Sequence, residues 1–177
     1  MSTHDEQRMA ALTSSLINAG IGSTYHRRSL TEVDPALHEW AVRDAVTTVQ
    51  EGRGLTLVGT DKAYDGAVLL ARAIHLQGLS SLVVPLRRLV KWCEHETPEA
   101  ETAANVRALF ITGFNQEGDS PMLHWQRDDV EELLLDRLDN GRAIFAQGPR
   151  GVVRGSWWTD TLVRRIARLN SVMEIKG

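Results

Sequence analysis

Apolar positions recur along this chain with two different periods, and the switch between them marks out its elements. Residues 5–19 set Met9, Leu12, Leu16 and Ile17 at helical spacing before Gly20. Residues 35–51 place Leu37, Trp40, Ala41 and Ala45 on a second amphipathic helix, which Gly52 and Gly54 end. The stretch 21–34 between them has no periodicity and reads as irregular chain. From residue 55 onward, short runs that are apolar throughout alternate with helical stretches. Strands are predicted at 55–58, 81–84, 107–112, 143–146 and 172–175, and helices at 66–77, 86–95, 127–140 and 156–169. A turn at 59–65, a polar connection at 97–104 and loops at 113–123 and 147–155 join them. Wholly apolar strands separated by helices need cover on both faces, so the expectation is a three-layer α/β domain on a five-stranded parallel sheet. That domain spans 21–177. Residues 1–20 form an N-terminal helix that must dock on the domain or on a partner, because one short helix cannot bury its stripe alone.

Composition changes this picture little. The chain has 177 residues, enough for one ordinary core. Its single cysteine, Cys93, excludes a disulfide framework and a multi-cysteine zinc site, and the six histidines show no ligand spacing. No apolar run approaches the roughly 20 residues that span a bilayer, and the first residues lack a signal-peptide pattern, so a cytoplasmic protein is expected. A net charge of -3 is no blanket nucleic-acid signal, but its distribution is uneven. Residues 94–139 carry twelve carboxylates against three cations, whereas 142–177 carry seven cations against two carboxylates. Such bipolarity suits head-to-tail association, a basic tip meeting phosphates, or simply one acidic and one basic solvated helix.

A strand–turn–helix at the head of an α/β domain invites a test for a phosphate loop. That loop needs glycines whose N–H groups curl around phosphate, a lysine for the terminal phosphates and a hydroxyl for magnesium. The turn here is Gly59-Thr60-Asp61-Lys62-Ala63-Tyr64-Asp65-Gly66. In the register set by Gly59, Tyr64 stands at the second glycine, Asp65 at the lysine and Gly66 at the hydroxyl. A carboxylate at the phosphate position repels the ligand. The third strand runs into Thr112 and Gly113, where magnesium-binding carboxylates would stand, and the fourth into Gln147, where a polar γ-phosphate sensor would stand. Lys62 is the one cation left to reach in.

Several segments together resemble the ATPase domain of bacterial helicase loaders of the DnaC/DnaI type, and the related transposase-helper ATPases. Tyr25-His26-Arg27-Arg28-Ser29-Leu30 resembles the aromatic and basic lead-in of that family, and Gly54-Leu55-Thr56-Leu57-Val58-Gly59 the strand entering its phosphate loop. Ala108-Leu109-Phe110-Ile111-Thr112-Gly113-Phe114 resembles its magnesium-binding strand with both carboxylates lost. Leu135-Asp136-Arg137 resembles the helix before the sensor strand, and Arg165-Ile166-Ala167-Arg168-Leu169 the segment whose arginine reaches a neighbouring subunit's nucleotide. The resemblance covers about residues 21–177, and small phage replication proteins of the P2 B type are the narrowest group it suggests. It implies a P-loop/AAA+ sheet with a degenerate nucleotide site, no cofactor and no metal.

Residues outside that site carry the remaining chemistry. Arg87, Arg88 and Lys91, with Trp92 beside them, combine backbone-following cations with a stacking aromatic, as do Arg150 and Arg154 without the aromatic. In loaders the region matching residues 87–92 contacts single-stranded DNA. Arg164, Arg165 and Arg168 are candidates for a subunit contact, against a neighbour's acidic run Asp128-Asp129-Val130-Glu131-Glu132. Trp157 and Trp158 cannot share one helix face, so one is expected in the core and the other exposed or partner-covered. Met9, Leu12, Leu16 and Ile17 are the other partner candidates, since loaders grip their helicase through an N-terminal element. No catalytic residue emerges. The resemblance implies a replication accessory that binds a DnaB-type replicative helicase, or a host loader, without ATP hydrolysis. Single-stranded DNA and further copies of the chain are additional expected partners. The alternatives are an inhibitory decoy of the helicase or loader, and an active NTPase with an atypical loop using Lys62.

Overall fold

Five parallel strands, β1 (Gly54–Val58), β2 (Ser81–Pro85), β3 (Ala108–Thr112), β4 (Ala143–Gly148) and β5 (Asn170–Glu174), line up in the order β2-β3-β4-β1-β5. The computed structural model describes residues 3–114, 124–149, 151 and 158–176. Side chains alternate across the sheet, so β2, β3 and β4 each feed two cores. Leu55, Leu57, Val83, Phe110 and Phe145 face a layer made by the last turn of α1 (Thr3–Asn18), α2 (Pro35–Arg43), α3 (Ala45–Gln50) and α4 (Asp61–Leu76). Leu82, Val84, Leu109, Ile111 and Ile144 face a layer made by α5 (Leu86–Glu94), α6 (Pro98–Asn105), α7 (His124–Asp139) and α8 (Asp160–Leu169). Phe110 and Phe145 stack at 4.2 Å between centroids, and Trp40 meets Phe145 edge-on at 6.2 Å. The three-layer parallel architecture is the one the apolar runs predict.

Several boundaries differ, each for a local reason. The stretch 97–104 is not a polar connection but helix α6, started by Pro98 behind Thr97 in extended backbone. The single helix expected over 35–51 is two. It breaks at Asp44, onto whose carboxylate the Arg43 guanidinium folds at 2.9–3.1 Å. The irregular 21–34 segment holds two short 3-10 turns, Ser23–Tyr25 and Leu30–Glu32, the second closed by a Ser29/Glu32 capping box. Strand β4 continues through Gln147 and Gly148, which were expected to be loop. Helix α8 starts at Asp160, where Thr159 caps it, and β5 starts at Asn170. Most consequential, α4 begins at Asp61 and takes in most of the turn expected at 59–65.

A buried arginine fastens the second layer. Arg137 has no exposed surface, and its guanidinium donates to Ala103, Ala104 and Val106 carbonyls at the end of α6 and to Ala143 on β4, at 2.5–3.1 Å. Burial, with the neighbouring Arg142, pulls its pKa down to about 9, which leaves it cationic at neutral pH. Glu131, also buried, accepts from the backbone N–H and hydroxyl of Thr159 at 2.6 and 2.7 Å and so ties α7 to the start of α8.

Candidate functional site

The carboxyl ends of β1, β3 and β4 converge above the sheet, where parallel α/β folds place their ligands. Between β1 and α4 only Gly59 and Thr60 are non-helical. Gly59 has φ +145°, donates its N–H to Gly148 O at 2.9 Å, and accepts from Gln147 Nε2 at 2.9 Å. A β-carbon on Gly59 would lie 2.7 Å from Ile175 O and 3.0 Å from Ala63 Cβ, so the turn is tightly seated. The Gln147 side chain spans the gap: its Oε1 takes the Gly113 N–H at 3.3 Å while its Nε2 holds Gly59. Gln147 is itself 6% exposed, and its backbone carbonyl accepts from Phe114 N at 2.8 Å. Phe114 stacks on Trp158 at 4.6 Å and accepts from the indole Nε1. Thr112 is therefore buried, and the Gly113 N–H, at a half-exposed position, is taken by the Gln147 amide.

The register of the turn explains why. With α4 starting at Asp61, Tyr64, Asp65 and Gly66 are helical residues rather than members of a loop. Asp65 does not stand in an open phosphate position, as expected from sequence. Its carboxylate accepts from Tyr25 Oη at 2.6 Å and from Arg28 Nη1 at 2.8 Å, and Arg28 lies 5.4 Å over the Tyr25 ring. Burial first, then the hydrogen bond to Asp65, push the Tyr25 phenol up to about 12. Gly66 is a close-approach residue, since a β-carbon there would come within 3.0 Å of Leu37 Cδ2 on α2. Lys62 and Tyr64 are exposed on the first turns of α4, beside the exposed carboxylate Asp61. Lys62 and the Thr60 hydroxyl stand at the opening of α4, whereas β3 ends in Thr112, followed by Gly113, rather than in carboxylates.

No protein-family model and no curated protein matches the chain. Solved structures do. The DnaC helicase loader superposes with a TM-score of 0.69 at 19% identity, over 88% of this chain and all of that one. DnaI gives 0.64 at 21%, over 88% of this chain and 94% of that one. This is the AAA+ fold. DnaA of Aquifex aeolicus, in an AMPPCP-bound structure, gives 0.69 at 9% identity, over 88% of this chain and 51% of that one. The fold is shared with these proteins, and at the carboxyl ends of its strands this chain bonds Gln147 to Gly59 and Gly113 and Asp65 to Tyr25 and Arg28.

The remaining candidates fall into separate places. Arg87, Arg88 and Lys91 line the exposed face of α5, whose Leu89 and Val90 are buried, and Trp92 is half-buried against the second core. Arg150, Arg154 and Trp157 lie outside the described residues. Trp158 is core, 4% exposed, which removes it from the partner-contact candidates because its indole is spent on Phe114. Leu16 is likewise core at 3%, leaving Met9, Leu12 and Ile17 exposed on α1. Arg164 pairs with Asp160 and Arg165 with Asp139 of the same chain, whereas Arg168 is exposed with no ion pair among the described residues. In the acidic run, Val130 and Glu131 are buried and unavailable to a neighbour. Among the described residues no cluster of metal ligands occurs, and no helix is long and apolar enough to cross a membrane. The Tyr25–Asp65–Arg28 and Gln147 contacts join residues 34 to 88 positions apart, and no spacing in the sequence announces them.

Proposed function

We propose that this chain is a cytoplasmic DNA-replication accessory protein of helicase-loader type, with a degenerate AAA+ domain that binds a replicative helicase and does not hydrolyse ATP. One observation carries the reading. On a fold shared with the DnaC helicase loader, the Gln147 amide bridges Gly59 and Gly113, and the β1–α4 turn is two residues long. A phosphate cradle needs free N–H groups and cations there, whereas the Gly59 N–H is given to Gly148 O and the exposed carboxylate of Asp61 opens the helix that follows. The narrower assignment to small phage replication proteins of the P2 B type belongs to the same proposal.

Helicase capture falls to the exposed apolar residues of α1, and single-stranded DNA to the cationic face of α5. A protein that works this way releases its partner by competition or on meeting DNA, since no fuel cycle drives it. Two measurements test it together. Titration with magnesium ATP to millimolar concentration should give no saturable binding, and immobilised protein should retain a DnaB-type helicase from a purified mixture. Saturable, magnesium-dependent ATP binding in the micromolar range would overturn it and favour the alternative NTPase using Lys62, which stands exposed on an α4 first turn lacking a side-chain cap. Helicase loading on single-stranded DNA rises if the captured complex is a loader's and falls if it is a decoy's.

A further inference from the structure

The outer side of the first helical layer carries a groove that the reading above does not use. It lies between α2, α4 and the segment 28–30, with a volume of about 380 Å³, at the small end of the ~300–1,000 Å³ of ligand sites. Its walls are of two kinds. Val42 and Leu76 form an apolar rim, 71% and 46% exposed, above a floor that includes Leu69 and Ala41. The polar wall holds Arg28, Arg72 and His38, and no aspartate or glutamate is among the lining residues.

The two arginines are not equivalent. Arg28 is committed to Asp65 at 2.8 Å. Among the described residues Arg72 makes a single long bond, Nη1 to Arg28 O at 3.4 Å, and its buried Nε has no hydrogen-bond partner there. No ion pair of Arg72 occurs among the described residues. A guanidinium has five donors in a planar fork, so most of the capacity of Arg72 is unfilled at the wall of an apolar groove. An anion with a planar pair of oxygens and an aliphatic neighbour complements both walls, whereas a bare phosphate backbone would leave Val42 and Leu76 facing water.

We propose that this groove binds a peptide segment of another protein that presents an aspartate or glutamate beside aliphatic side chains. The carboxylate takes the Arg72 fork and the aliphatic groups cover Val42 and Leu76. The site is independent of the helicase reading, because it uses neither α1 nor the cationic face of α5.

The test is a titration of the full chain, labelled with nitrogen-15, with the capped peptide Leu-Asp-Glu-Leu-Leu-Asp-Leu and its amide twin Leu-Asn-Gln-Leu-Leu-Asn-Leu. The acidic peptide should shift amides at 28–30, 38–42 and 69–77 saturably, and bind about tenfold more tightly than the twin. Arg72→Gln should erase that preference. Val42→Ser, at an exposed position where folding is not at stake, should weaken both peptides severalfold. Equal affinity for the two peptides, shifts outside the groove, or no saturation overturns the proposal. So does a single-stranded oligonucleotide that produces the same shifts more tightly than the acidic peptide.

Discussion

One guanidinium without exposed surface holds the end of α6 against the start of β4. Removing it takes a shared donor from four carbonyls, two of them at buried bonds, although Arg142 Nη1 still reaches that of Ala104 at 2.8 Å, and each buried loss is costly. Arg137→Ala should therefore destabilise the domain by about 3 kcal/mol or more, read as a fall in the urea midpoint at unchanged slope. Tyr25 has a different signature. Its phenol is held above its ordinary value, at about 12, so the neutral hydroxyl is the form the fold favours. That contribution is whole below the unfolded phenol value near pH ~10 and is lost as pH rises through the folded value. Tyr25→Phe should cost about 1 kcal/mol at pH ~8. The gap between wild type and variant should close between pH ~10 and ~12. A gap that stays constant over that range would show that Asp65 does not depend on the phenol.

Helix α1 is two things along one stripe. Leu16 and Ala19 are buried, Ala19 O accepts from Val83 N at 2.9 Å on the edge strand β2, and Ser15 Oγ sits 2.7 Å from His75 Nε2. Met9 and Leu12, on the same face by helical spacing, extend beyond the domain and are 56% and 36% exposed. Leu16→Ala should cost about 2–4 kcal/mol, as for other buried leucines. Met9→Ser combined with Leu12→Ser should leave the urea midpoint in place and abolish helicase capture. Capture that survives the double change would locate the partner elsewhere. The helix itself was legible from its stripe, but its division was not, because burial at Leu16 depends on a core built from residues far away in the chain. Helix α6 was missed because its alanines, threonine and glutamates form no apolar stripe, and only Ala103 is buried.

Across the whole molecule, the acidic and basic helices meet inside one chain. Helices α7 and α8 pack together, and Arg165 reaches Asp139 at 2.5 Å, so part of the charge bipolarity is spent internally rather than on a neighbouring copy. The cationic face of α5 remains turned outward. Reversing Arg87 and Arg88 to glutamate should weaken binding to single-stranded DNA and flatten its dependence on salt, because fewer phosphate counterions are released. Affinity that stays the same at every salt concentration would take DNA off the list of partners for this face.

The runs of apolar residues determined the parallel sheet, the two-sided core and the order of most helices, because burial on both faces leaves no other use for strands of that composition. That Tyr64, Asp65, Thr112 and Gly113 depart from a phosphate-loop pattern was equally visible. What the residues around that turn bond to was decided only in three dimensions. Asp65 finds Tyr25 and Arg28 at separations of 40 and 37 residues, and Gln147 reaches Gly59 across 88. Hydrogen bonds between residues so far apart follow no sequence period. The Gln147 bonds exist because parallel strands bring their carboxyl ends to one place, and polar groups buried there must find partners.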